Sequence, residues 1–587
     1  MVSHCNVILG MRIKSRAVLL AMMLCAGCSG GERSRRPGEE DERFEWFADR
    51  AAETGLDFVH FNGMSGQFYH AEIMAPGVAM VDYDNDGDLD IYLVQGQMLG
   101  AGRPLVAPHS ASPLKGRLYR NELKVRRDGT RALRLADVTE ESQINATGYG
   151  MGVAAGDFNN DGCVDLYLTN LGPSQMFQNN CDGTFADVSR QSGTDASGWS
   201  VPASFLDFDR DGWLDLYVGH YLSWSIETNT QCFSPTGRLD YCSPQVYRAQ
   251  PSRLYHNNRN GTFTDVTAAA GMASEFGPAL GSVTADFNGD GWIDLYVAND
   301  GQENQLWINQ RHGTFRNIGL VSGAALSSLG KPKAGMGVDA GDFDNDGDED
   351  LFVTNLTSEG HDVYVNDGAG MFEERSAASA LGFASLAYTG FGTAWFDFDN
   401  DSWLDVLTVN GAVQTIEALT RANDPFPLHQ RKQLFRNLGN ARFEEVTGRG
   451  GAVFQLSEVG RGAAFGDIDN DGDVDVAVAN NSGQARLLIN NVGARHHWLG
   501  LRLTGQQAPR DMLGARVGIV REDGSMLWRR ARADASYASA NDPRVIVGLG
   551  QAARVAKVRV IWPSGRVEEW TEVAIDRYTT LKEGSGR

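Results

Sequence analysis

The chain has 587 residues, 42% of them hydrophobic, with 69 glycines against 17 prolines and a formal net charge of −23. That length suffices for a large core plus an extra module, and the acidity opposes nucleic acid or an anionic bilayer as a direct electrostatic partner. The glycine excess calls for many tight turns between short strands, the mark of an all-β chain.

Residues 1–28 read as an address. In "MRIKSRAVLLAMMLCAGC" a basic stretch (Arg12, Lys14, Arg16) precedes a short apolar run and small residues before Cys28. The segment resembles a bacterial lipoprotein signal with Cys28 as the lipidated residue, although Cys25 stands where Leu is commonest. Ordinary secretory cleavage is the other reading. The apolar run is far shorter than the roughly 20 residues that span a bilayer, so membrane contact is expected only through a lipid on Cys28. Residues 29–43 are polar and without apolar periodicity, a flexible tether. Of the seven cysteines, Cys163, Cys181, Cys232 and Cys242 would remain in the exported chain. They read as two disulfides, 163–181 and 232–242, or as four buried thiols.

From residue 82 onward one acidic loop returns seven times, at spacings of 50–79 residues: "DYDNDGDLD", "DFNNDGCVD", "DFDRDGWLD", "DFNGDGWID", "DFDNDGDED", "DFDNDSWLD" and "DIDNDGDVD". Together the loops hold 29 Asp, Glu349 and Arg210, a net −29 that leaves the rest of the chain slightly basic. Oxygen-bearing side chains at alternate positions, a Gly at the sharp turn, and a seventh position whose side chain is free describe a loop wrapped around a hard cation, with the seventh residue giving its carbonyl. Flexible oxygen coordination favours Ca²⁺ over Mg²⁺, and zinc is disfavoured for want of His or Cys at ligand positions.

The candidate ligands are Asp82, Asp84, Asp86, Asp88 and Asp90 in loop 1, then Asp157, Asn159, Asp161, Cys163 and Asp165 in loop 2. Loop 3 offers Asp207, Asp209, Asp211, Trp213 and Asp215, and loop 4 Asp286, Asn288, Asp290, Trp292 and Asp294. Loop 5 offers Asp342, Asp344, Asp346, Asp348 and Asp350; loop 6 Asp397, Asp399, Asp401, Trp403 and Asp405; loop 7 Asp467, Asp469, Asp471, Asp473 and Asp475. Up to seven Ca²⁺ would bind. The loops are not EF-hands: position 12 is Leu93 or Leu168 rather than a ligating Glu, and each loop runs into a strand such as "LDIYLV" or "IDLYVA", apolar on both faces.

After each loop comes a strand ending in Asn ("LYRN", "MFQN", "LYHN", "LWIN", "VYVN", "LFRN", "LLIN"), and six of these lead through a turn into a further strand such as "FTDVT". The seventh unit lacks its last strand, which "FADRAAETGL" at 47–56 supplies from the other end of the chain. Seven radial four-stranded units closed in this way make a seven-bladed β-propeller with calcium loops over residues 44–493. Residues 494–583 alternate apolar and polar, carry no acidic loop, and read as a separate small β domain.

The loops, the "LYHNNRNGTFTDVT" hairpin, the "YCSPQVY" segment and the C-terminal "HHWLGLRLTG…RDMLGARV…SYASANDPRVIVGLG…VRVIWPSG" resemble the FG-GAP/VCBS-repeat propellers that end in an ASPIC/UnbV domain. The resemblance implies calcium binding and display outside the cytoplasm. It supplies no ligand.

No nucleophile elbow, H-E-x-x-H or Walker loop is present. The chain therefore reads as a calcium-binding protein of the cell envelope, or secreted if Cys28 is not acylated, that holds an envelope or extracellular protein or a glycan. The alternative is a polysaccharide-active or biosynthetic accessory enzyme, with His60, Tyr69, His70 and Glu72 as acid–base candidates, although packing and capping of the entry strand is the favoured role for these residues. Trp213, Trp292 and Trp403 offer stacking platforms or inter-loop packing, and His496 and His497 are ligands or strand-end residues. Calcium removal is expected to loosen the propeller more than the C-terminal domain.

Overall fold

The computed structural model describes residues 45–587 apart from 110–112, 425 and 507–509. Residues 1–28 with Cys28, read above as a signal, and residues 29–43, read as a tether, lie outside the described residues. Among the described residues, seven sets of four antiparallel strands succeed one another. Blade 1 comprises Val78–Val81, Asp90–Leu93, Arg117–Asn121 and Leu135–Asp137, and each acidic loop joins the first strand of a blade to the second. The innermost strands of the other blades are Tyr149–Gly156, Ser197–Leu206, Ala279–Ala285, Val338–Gly341, Gly390–Phe396 and Gly460–Gly466. Each packs on the innermost strand of the next blade, and the last packs on the first, so the ring is closed. Blade 7 takes its outer strand from the N-terminus, with Phe47 opposite Asn490 and Asp49 opposite Leu488.

The residues explain the geometry. Second-strand segments such as "DLYV" bury both faces between neighbouring blades, and their Tyr92, Tyr167, Tyr217 and Tyr296, with Phe352 in blade 5, are almost wholly withdrawn from water. Loops turn through a left-handed residue at position 4 (φ +58° at Asn85, +60° at Arg210) and another at position 6 (φ +94° at Gly87). Glycine adopts that region freely and Asn tolerates it. Ser402 occupies position 6 of loop 6 at φ +83°, and its Oγ donates to the carbonyl of Gly548 at 2.9 Å, which offsets part of the strain.

A carboxylate clasp ties the blades together. The Asp at position 9 is buried in all seven loops. Its Oδ1 accepts the N–H of the Asn ending the blade's third strand, from Asn121 to Asp90 (2.8 Å) round to Asn490 to Asp475 (2.7 Å). In six loops its Oδ2 also accepts the N–H of position 2. That Asn then reaches sideways, donating from Nδ2 to the position-2 carbonyl of the preceding blade: Asn179 to Tyr83, Asn257 to Phe158, Asn309 to Phe208, Asn366 to Phe287, Asn437 to Phe343 and Asn490 to Phe398, all at 2.7–2.9 Å. Asn121 donates to Ile468 at 2.8 Å and closes the circle.

The axis of the propeller is filled from both ends. Residues 60–76, with the short helix His70–Ile73, enter from the end opposite the loops, and Arg461, fully buried, donates to the carbonyls of Ile73, Gly411, Ala412 and Gly460. From the loop end comes a segment of the C-terminal domain, residues 531–543. Ala540 pairs with Val78 and Met80, Ser536 with Val338, and the Tyr537 hydroxyl donates to the Met74 carbonyl at 2.8 Å. Gly77 permits this approach, since a Cβ there would lie 1.8 Å from the carbonyl oxygen of Ala538. The C-terminal domain has its own core between a three-stranded sheet (Val545–Gly550, His497–Thr504, Tyr578–Lys582) and a four-stranded one (Met526–Arg530, Arg516–Val520, Lys557–Ile561, Val567–Trp570). It is nonetheless anchored in the propeller axis.

Replacing one clasp Asn leaves buried carbonyls without a donor, so Asn437→Ala should cost about 1–3 kcal/mol, whereas Asn258→Ala on the exposed turn should stay within about 0.5 kcal/mol. Denaturant titrations of the two variants check this.

Candidate metal centre

Within each loop the peptide N–H groups arrange the carboxylates. The position-5 Asp accepts the N–H of position 7 in all seven loops, for example Asp86 from Asp88 (2.9 Å) and Asp211 from Trp213 (2.8 Å). Position 7 makes this contact with its backbone N–H, whatever its side chain. In loops 2, 3, 4, 6 and 7 the position-1 Asp accepts the N–H of positions 5 and 6, as Asp157 does from Asp161 (3.2 Å) and Gly162 (2.7 Å). The carboxylates converge: Asp82, Asp84 and Asp86, or Asp342, Asp344 and Asp350, bring one oxygen each within 4.8 Å of the others.

Several of those oxygens are buried and have no hydrogen-bond partner among the described residues. They are Oδ1 of Asp82 and Asp84 in loop 1, both oxygens of Asp342 and Oδ2 of Asp350 in loop 5, Oδ1 of Asp399 in loop 6, and Oδ1 of Asp469 and Asp473 in loop 7. Burying a polar oxygen without a partner is costly, and a hard cation bound among all-oxygen ligands satisfies it. The five-Asp loops 1, 5 and 7 fit a Ca²⁺ best. In loops 3, 4 and 6 a basic side chain of the propeller already touches the cluster, His256 on Asp209 (3.0 Å) and Arg259 on Asp211, Arg311 on Asp290 (3.2 Å), and Arg436 on Asp399 (2.7 Å), and in loop 1 Arg502 of the C-terminal domain reaches Asp82 at 3.4 Å. In loop 2 the amide of Asn159 donates to Asp161 at 2.8 Å. Cys163 in loop 2 is not a thiolate ligand, being bridged to Cys181, and Cys232 is bridged to Cys242.

The electrostatics agree. Burial first, then neighbouring carboxylates, pushes Asp82 up to about 6, Asp342 to about 7 and Asp469 to about 8, from an ordinary 3.8. Asp90, Asp165, Asp215 and Asp475 rise well above the carboxylate range, again through burial.

The loops are also linked to one another and to the C-terminal domain. The position-4 side chain donates to the position-6 carbonyl of the next blade: Asn85 to Gly162 (3.0 Å), Asn160 to Gly212 (3.0 Å), Arg210 to Gly291, Asn345 to Ser402 (3.2 Å), Asn400 to Gly472 (3.0 Å) and Asn470 to Gly87 (3.4 Å). Blade 4 has Gly289 there, with no side chain, and Arg516 of the C-terminal domain donates to Gly347 instead, at 2.6 Å. Other arginines of that domain land on the same ring, Arg510 on Gly212 (3.1 Å), Arg529 on Ser402 (3.0 Å) and Arg544 on the Asp467 carbonyl (2.8 Å), while Arg532 pairs with Asp339 of the inner strand (2.5 Å). The domain is therefore bonded to the loops, and the expectation that it would be spared when they loosen gives way to coupled melting. This ring escaped sequence reasoning, although Asn at position 4 in five of the seven loops was the visible signal.

The remaining candidates are built into the scaffold. His60 and His70 are buried, and desolvation pushes them down to about 3 and about 4. His70 Nε2 meets the Tyr221 hydroxyl at 3.1 Å, and Tyr221 donates to Asp300 at 2.5 Å. Glu72, raised by burial to about 7, accepts from Tyr241 at 3.0 Å. Tyr69 packs its ring on Trp224. Trp213, Trp292 and Trp403 are half-buried; Trp292 lies under the Arg210 guanidinium and Trp403 against Gly439. His496 Nδ1 meets the Asp399 carbonyl at 2.6 Å, and His497 pairs with Asp576.

Two family models match the chain: the FG-GAP-like repeat over residues 157–218, 236–297, 286–353 and 342–408, and the ASPIC and UnbV domain over 505–587. The chain belongs to the FG-GAP-repeat proteins that carry an ASPIC/UnbV domain. Relatives of this ASPIC/UnbV propeller include cartilage acidic protein 1 of Mus musculus, 30% identical over 169 residues that make up 27% of this chain and 25% of that protein, and of Homo sapiens, 28% identical over 27% and 24%. The match thus spans about a quarter of the length of those relatives. Similar solved structures include an Agrocybe aegerita lectin that recognises terminal N-acetylglucosamine (14% identity, TM-score 0.35, covering 63% of this chain and 79% of that one). A Bacillus licheniformis rhamnogalacturonan lyase is another (12%, TM-score 0.28, 69% and 80%). Likeness at this level carries no functional argument.

The raised carboxylates set a pH dependence. Without metal the folded protein holds protons that the unfolded chain would release, so the stability from these groups is full below about 3.8 and is lost as pH rises through about 6–8. The metal-free protein should melt several degrees higher at pH 5 than at pH 8, and added calcium should reverse that order. Melting curves of apo and calcium-loaded samples across this range test both signs.

Proposed function

We propose that this chain is a calcium-stabilised binding or scaffold protein that works outside the cytoplasm, holding a protein or glycan on a propeller whose acidic face is locked by the C-terminal domain. The observation that carries the calcium reading is the set of buried, unpartnered carboxylate oxygens in loops 1, 5 and 7. In each of these three loops the chain's own residues would contribute the carboxylates of positions 1, 3, 5 and 9 and the carbonyl of position 7, and the ion would supply the positive charge they lack. Two disulfides suit an oxidising compartment, and no described helix is long and apolar enough to cross a membrane. Export, with or without a lipid on Cys28, is part of the same proposal. The burial of His60, His70 and Glu72 within the axial packing supports binding over acid–base chemistry.

At a calcium concentration tenfold above its dissociation constant each site adds about 1.4 kcal/mol, so three sites add about 4 kcal/mol. Calorimetric melts in calcium and in chelator should show the propeller and the C-terminal domain losing stability together in one transition. Overlaid melts would refute the reading. Asp342→Asn with Asp344→Asn should lower the calcium stoichiometry by one.

A further inference from the structure

We propose that the cavity at the end of the propeller opposite the acidic loops is the binding site of an uncharged small molecule with a hydrocarbon body. This goes beyond the function proposed above, since it adds a second site of different chemistry at a different place. The second strand of each blade runs away from its acidic loop, so chain inserted between the second and third strands emerges at the far end. Blades 1, 3 and 6 carry long insertions there, residues 94–116, 221–252 and 411–432, whereas the other four blades join the same strands with one to eight residues. The propeller closes without such insertions. Together with residues 60–76 they enclose about 320 Å³, within the range of small-molecule sites.

The lining decides the chemistry. Met64, Phe68, Tyr241, Phe426 and Leu428 form an apolar wall, and all but Phe68 are buried. The hydroxyls that reach the space are engaged with their own neighbours. Thr415 Oγ1 donates to Asp240 at 2.7 Å, the Tyr241 hydroxyl to Glu72 at 3.0 Å and Thr420 Oγ1 to the Ile416 carbonyl at 3.4 Å, while Ser234 Oγ meets Thr236 Oγ1 at 2.9 Å. The two charged residues, Arg238 and Glu417, are of opposite sign, and Glu417 also pairs with Arg421 at 3.3 Å. A sugar gives up several hydrogen bonds to water on entering and needs them replaced. A hydrocarbon body needs none and gains by leaving water.

Two features show that the space is built rather than left over. Phe68 adopts φ +53°, a conformation that bulky residues rarely take, and in it the ring stands edge-on to Tyr241 with 5.1 Å between centroids. Backbone strain of this kind collects where ligands are clamped. The hairpin that carries Leu239 is fixed from both sides, by the Cys232–Cys242 disulfide and by Asp240, which accepts the backbone N–H and the hydroxyl of Thr415. Leu105 and Leu239 line the cavity yet are 60% and 39% exposed, so the mouth is apolar too. Apolar cavities of about 150 Å³ already hold a benzene-sized molecule, so this one has room for a fused ring or a folded alkyl chain.

The test uses the purified full chain in calcium and the uncharged fluorescent probe N-phenyl-1-naphthylamine, with decanol and glucose as competitors. The expected result is saturable uptake of one probe per chain, displaced by decanol and not by glucose. Thr420→Trp fills the cavity from its half-buried wall and should weaken binding at least tenfold, while Leu329→Trp, at an exposed leucine outside the cavity, should leave it unchanged. Should Thr420→Trp not fold, Ser234→Trp fills the space from the hairpin side and should have the same effect. Cys232→Ser with Cys242→Ser frees the hairpin wall and should also weaken binding. No saturable uptake, displacement by glucose, or unchanged affinity in the folded Thr420→Trp or Ser234→Trp protein overturns the inference.

Discussion

Everything in this molecule hangs on carboxylates buried where they repel one another. Each blade places one Asp fully inside the protein at the start of its second strand, and that group is tolerated because peptide N–H groups point at it. The same Asp orients an Asn whose amide crosses to the preceding blade. One charged group thereby sets the turn, positions the third strand and fastens the blade to its neighbour. Because the contact repeats around a closed ring, no blade can loosen without disturbing two others.

The face this creates is strongly acidic, and the chain compensates in two ways. Some loops receive a basic side chain from their own blade, as loop 3 does from His256 and Arg259. The five-Asp loops leave buried oxygens without a hydrogen-bond partner among the described residues, which is what the proposed cation would satisfy. The C-terminal domain adds a further layer of positive charge, but its arginines mostly meet backbone carbonyls of the loops rather than their carboxylates. It therefore reads the shape of the loop ring, and changes in the loops propagate into the docking of the domain.

Filling the axis from both ends has a mechanical consequence. The N-terminal segment that contributes Met74 and the C-terminal segment that contributes Tyr537 meet in the middle. Chain segments far apart in the sequence are thus in contact both at the axis and, through Phe47 and Asn490, at the rim of blade 7. The propeller closes at the edge and is pinned at the centre.

Much of this was legible without coordinates, because repetition inside one chain acts as its own comparison. Seven copies of D-x-[DN]-x-D set the number of blades, the alternate oxygens marked the acidic clusters, and the missing strand after "LLIN" with a spare "FADRAA" at the other end set the closure. The hidden part depends on contacts between residues far apart in sequence. Nothing in the spacing tells that Asn437 reaches Phe343, that Arg516 replaces a side chain missing at Gly289, or that "ADASYASAND" runs into the propeller axis. Local pattern dictates which turns and strands form, since those depend on side chains a few positions apart. Which buried oxygen finds a donor is decided only when the blades and the C-terminal domain pack together.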